Sequence, residues 1–80
     1  MLNFDIYAIE TEDDEHSSSV KELFTSFEDA KEARYNYANW FCSKGNVWIN
    51  LYKANYPFKC VCTWHINEKG EIINEYKYKI

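Results

Sequence analysis

Glycine is scarce: the 80 residues hold two, Gly45 and Gly70, far apart in the chain. A loop that cradles phosphate with successive backbone N–H groups needs closely spaced glycines, so none is present. The single proline, Pro57, leaves little to interrupt regular structure. No run reaches the ~20 apolar residues of a membrane span. The start, MLNFDIYAIE, lacks the basic segment and apolar stretch of a secretory leader. A cytoplasmic chain with no membrane partner is the expectation. Three cysteines, an odd number, do not form a paired disulfide framework and suit a reducing compartment.

Aromatic residues are abundant instead, with three Trp, seven Tyr and five Phe. Each ring can bury ~150–250 Å², which matters because a chain this short hides only about 60% of its unfolded surface. One small domain spanning residues 1–80 is expected. The net charge of −4 is unevenly placed. Residues 1–32 carry ten acids against two bases, and residues 33–80 carry seven bases against three acids. Such asymmetry bears on association with charged partners and says little about specificity.

One stretch organises the rest. Phe27, Ala30, Ala33, Tyr37, Trp40 and Phe41 recur at three- and four-residue spacing, which predicts one amphipathic helix over Phe27–Ser43. Ser26 is placed to cap it, Glu28 and Asp29 sit at the positive end of its dipole, and Lys44 with Gly45 ends it. Tyr35 alone looks out of place on the polar side. A helix this short is marginal by itself in water, so its apolar stripe must cover a sheet.

Asn3–Thr11 alternates as a strand, with Phe4, Ile6 and Ala8 on the expected core side and Tyr7 on the other. Glu10–Ser19 reads as an exposed acidic loop, and Val20–Thr25 as a short second strand hairpinned to the first. Asn46–Lys53 puts Val47, Ile49 and Leu51 toward the helix and Trp48 and Tyr52 away from it. Asn67-Glu68-Lys69-Gly70 joins strands Phe58–Ile66 and Glu71–Ile80 in a hairpin. A regular register then faces Ile66 with Ile72, Trp64 with Asn74, Cys62 with Tyr76, Cys60 with Tyr78 and Phe58 with Ile80. The fold expected is α+β, one helix on one face of a four- to five-stranded antiparallel sheet, in the order β-(β)-α-β-β-β. Tyr37, Trp40, Phe41, Ile49, Leu51, Trp64 and Tyr76 are the expected centre of the core.

Chemistry has few candidates. In Cys60-x-Cys62-x-x-His65 the alternation sends both thiols into the core and the imidazole away, so they do not converge as tetrahedral zinc ligands must. Cys42 lies at a helix C-terminus, which disfavours a thiolate. The carboxylates of Glu12–Glu15 have no apolar neighbour to separate their pKa values. A cysteine- or metal-dependent enzyme is therefore the weakest reading, with no metal or cofactor implied. Tyr7, Trp48 and Tyr52 beside Lys59, Lys77 and Lys79 form a candidate sheet-face binding surface, and this mixture of rings and cations would also suit a single-stranded nucleic acid. Glu10, Glu12, Asp13, Asp14 and Glu15 form a second candidate surface, capable of imitating phosphate charge toward a basic groove. The leading expectation is a non-enzymatic module that binds another protein, a second copy of the chain being one candidate. Its acidic, Asn-, Lys-, Tyr- and Ile-rich composition is in the style of AT-rich bacteria and their mobile elements. An accessory or inhibitor protein that occludes a larger partner, such as a host defence nuclease, fits that style.

Overall fold

A computed structural model describes residues 5–13, 15, 17–41, 45–53 and 59–78, the side chains of residues 39–41 excepted. Phe4, Asp14, Cys42, Lys44, Pro57, Phe58, Lys79, Ile80 and the side chains of Trp40 and Phe41 therefore lie outside the described residues. Five strands, β1 (Asp5–Glu12), β2 (Ser18–Phe24), β3 (Asn46–Lys53), β4 (Lys59–Ile66) and β5 (Ile72–Lys77), form one antiparallel sheet in the order β2-β1-β3-β4-β5. Two helical segments, α1 (Phe27–Ala33) and α2 (Tyr35–Phe41), stand between β2 and β3. The α+β class and the order of elements agree with the sequence expectation. No helix among the described residues is long and apolar enough to cross a membrane.

Connectivity explains why, among the described residues, helix covers one face of the sheet. Both β2 and β3 pair antiparallel with β1, from opposite sides, so they run parallel to each other and no tight turn can join them. The helical crossover passes over β1 and seals that face. Ser26 accepts the Asp29 backbone N–H at 3.5 Å and starts α1 as expected. The helix is not continuous: at Arg34 both the Tyr37 and Ala38 N–H groups converge on one carbonyl at 3.1 Å, tightening the turn. Arg34 also reaches across the fold, donating from Nε to the Gly70 carbonyl at 2.6 Å. Its guanidinium lies 4.2 Å from the centroid of the Tyr35 ring. Tyr35 thus has a reason to be on the polar side, since its ring packs where a Cβ on Gly70 would fall, 2.6 Å from Cδ1.

The core lies between the helix and the central strands: Ile9, Val47, Ile49 and Ile66 are fully buried with Ala30 and Ala38, flanked by Tyr7, Phe24, Phe27, Ala33, Tyr37 and Trp64. Small residues at Ala30 and Ala38 let the helix approach the sheet closely. Three expectations need correction. The helix side of β1 carries Tyr7, Ile9 and Thr11, not Ile6 and Ala8, because Ile9 pairs with Ile49 and Tyr7 with Leu51; Phe4, expected on the same side as Ile6 and Ala8, lies outside the described residues. The acidic loop is much shorter than Glu10–Ser19: β1 runs through Glu12 and β2 resumes at Ser18. Its turn is organised by Asp13, which accepts N–H groups from Glu15 and Ser17 at 2.9 Å, as Asn67 does from Lys69 and Glu71 in the second hairpin.

The third correction concerns the β4–β5 register. Ile66 faces Ile72 as expected, but Ile73 is an extra residue on β5, so His65 faces Asn74, Trp64 faces Glu75, Thr63 faces Tyr76 and Cys62 faces Lys77. One inserted residue exchanges the two faces of β5. Tyr76, expected in the core, is therefore half-exposed on the opposite side.

Candidate functional site

The face away from the helix is assembled by the pairing register. From β2 to β5 one row reads Leu23, Ala8, Asn50, Thr63, Tyr76, and the next reads Val20, Glu10, Trp48, His65, Asn74. A bulge at Lys21 sets Val20 into this face, and one at Val61 places Cys60 opposite Tyr52 on the same side. Cys60 and Cys62 therefore diverge, contrary to the simple alternation. The Cys60 thiol donates to the Cys62 carbonyl at 3.5 Å, and Cys62 is buried on the helix side with its thiol 3.9 Å from Glu75 Oε1. Burial first, and the Glu75 charge second, push the Cys62 thiol up, away from the reactive thiolate. The described residues contain no group of three His, Cys, Asp or Glu side chains arranged to hold a metal ion.

A line of hydrogen bonds crosses the centre of the open face. Glu10 Oε2 accepts from Asn50 Nδ2 at 2.7 Å and from the Tyr52 hydroxyl at 2.5 Å. Asn50 Oδ1 in turn accepts from the Thr63 hydroxyl at 2.6 Å, and Tyr78 donates to the Thr63 oxygen at 3.0 Å. Polar side chains in central strands must be satisfied in this way, and Thr63 is only 8% exposed. Burial, followed by the hydrogen bond to Glu10, pushes the Tyr52 hydroxyl well above the usual tyrosine range, so it remains a donor.

Beside this line the Trp48 and His65 rings stack with centroids 5.8 Å apart, and His65 Nε2 lies 3.1 Å from Asn46 Oδ1. A recess of about 460 Å³ adjoins His65, lined also by Asn46, Ile66, Asn67 and Ile73. At the rims Leu23 is 63% exposed, Val20 55%, and Tyr76 and Tyr78 50% each.

The expected site residues divide. Trp48 and Tyr52 do occupy the open face. Tyr7 does not: its ring packs under the helix, 5.6 Å from that of Phe27 and 6.3 Å from that of Trp64. Lys59 faces Lys53, and Lys77 faces Cys62, which puts both lysines at helix-side positions, apart from the rings they were expected to join. Lys79 lies outside the described residues. Glu10 and Glu12 are strand residues of the open face rather than loop residues, whereas Asp13 and exposed Glu15 form the adjoining turn. Val20, Leu23, Asn50, Thr63, His65, Tyr76 and Tyr78 were not anticipated. Asn50 and Thr63 did carry a signal, being polar residues at the middle of apolar strands.

Comparison with known protein families, with curated proteins and with solved structures finds no match to this chain.

Proposed function

We propose that this chain is a non-enzymatic module that binds a larger protein through its helix-free sheet face. The observation that carries the reading is the exposure of Leu23, Val20, Tyr76 and Tyr78 at the rims of one face that also holds Trp48 and Tyr52. Grouped apolar and aromatic side chains around an ordered polar centre are the make-up of a contact surface. Single-stranded nucleic acid is the poorer partner. Among the described residues no lysine or arginine occupies a paired position of this face, and phosphates would meet Glu10 and Glu12. The same two carboxylates oppose face-to-face association of two copies, which favours a different, basic protein as the partner.

The test is affinity capture with wild type, with the double variant Leu23→Lys/Tyr76→Lys, and with Glu32→Lys on the exposed helix surface as control. A partner retained by the control and lost from the double variant is the expected result. Loss from neither variant, or equal loss from both, would reject this face as the contact surface.

A further inference from the structure

Building on the binding face just described, we propose that Glu10 is its recognition point for a cationic side chain, arginine or lysine, presented by the partner protein. Three other carboxylates have their own cations: Asp5 with Lys53 at 2.8 Å, Glu28 with Lys31 at 3.4 Å and Glu75 with Lys77 at 3.9 Å. Glu10 has none among the described residues. It is partly buried in a strand flanked on both sides, and its side-chain hydrogen bonds among the described residues come from the neutral donors Asn50 and Tyr52. Neither donor brings a positive charge to the carboxylate, so the two hydrogen bonds hold it in place without supplying a counter-ion.

Both donors use the same oxygen. Oε2 takes the Asn50 and Tyr52 hydrogen bonds, which leaves Oε1 without one among the described residues. The two bonds also fix the Glu10 side chain before any partner arrives, so little rotamer freedom remains to be lost on contact. Trp48 stands directly across the strand pair from Glu10, and its stacking on His65 restricts the indole. A carboxylate oxygen beside an indole attracts a guanidinium or ammonium in two ways, by charge and by the ring quadrupole. Glu12, also on this face, and Glu15 in the adjoining turn add carboxylates on the same side of the molecule.

The probe is the tripeptide acetyl-Leu-Arg-Leu-amide, compared with the same peptide carrying citrulline, arginine's uncharged isostere. Titrated into the isotopically labelled full chain, the arginine peptide is expected to shift the Trp48 indole N–H and the Asn50 side-chain amide saturably. The citrulline peptide should bind on the order of tenfold more weakly. Glu10→Gln should erase that difference while leaving the amide spectrum of α1 in place. The comparison on the wild-type chain stands whether or not the variant folds. Equal shifts by both peptides, with Leu23 and Val20 still responding, would overturn the cation site and leave the apolar contact intact. No response anywhere on the open face would overturn the binding face as well.

Discussion

Replacing Ile49 with alanine is expected to lower the unfolding free energy by about 4 kcal/mol, in the upper part of the range for large-to-small core changes. Ile49 sits on β3, the middle strand of five, with Ile9 and Trp64 as its cross-strand neighbours. It is fully buried beneath Ala30 and Ala38, two residues too small to collapse into the space it would vacate. A chain of this size has about 4–12 kcal/mol of stability to lose. Thermal unfolding followed by circular dichroism should move down by roughly 15–30 °C. Ile49→Val, which removes one methyl group, should cost only about 1 kcal/mol. A loss for Ile49→Ala no larger than that of Ile49→Val would mean that this residue is not at the centre of the core.

Gly45→Ala should be nearly as damaging, for a different reason. A Cβ at Gly45 would fall 1.7 Å from the Glu12 carbonyl oxygen and 2.9 Å from the Asp13 Cα. Both obstacles are backbone, so no rotamer change can relieve the overlap. The start of β3 would have to leave β1 there, loosening the pairs Glu12 with Asn46 and Thr11 with Val47. Overpacking typically costs up to about 3 kcal/mol, and a collision with strand backbone belongs at that end or beyond. Elsewhere a glycine-to-alanine change can stabilise by restricting the unfolded chain, so the sign itself is informative. Urea denaturation gives the comparison. A neutral or stabilised Gly45→Ala would contradict the close approach of the two strands.

Gly45 also illustrates what could and could not be read from the sequence. Its position after an apolar stripe suggested a helix stop, and that reading concerned backbone conformation. The structure gives it another role, since the left-handed glycine is Gly70, at φ +84°, and Gly45 is small because β1 passes against it. The α+β class, the Ser26 cap, the span of β3 and the turn at Asn67 were legible because each rests on local chemistry. The core side of β1 was not. Ala8 and Ile9 are both buried, so this strand is apolar toward both faces and alternation cannot choose between them.

Register defeated the rest. The adjacent Ile72 and Ile73 both suit a strand, and nothing in either residue announces that Ile73 will be the extra one. That single bulge moved Tyr76 out of the expected core and Lys77 off the expected cationic face. The Glu10–Asn50–Thr63 line joins three strands distant in sequence, so it becomes visible only once every register is known.

The make-up of the open face, and with it the binding proposal, depends on that bulge. Cross-strand nuclear Overhauser effects in the β4–β5 hairpin test it most directly. The account predicts contacts pairing Thr63 with Tyr76 and Trp64 with Glu75, together with a contact between the Tyr78 ring and Thr63. Contacts pairing Cys62 with Tyr76 and Trp64 with Asn74 would contradict it, because that regular register turns Tyr76 toward the helix side and removes it from the rim of the face.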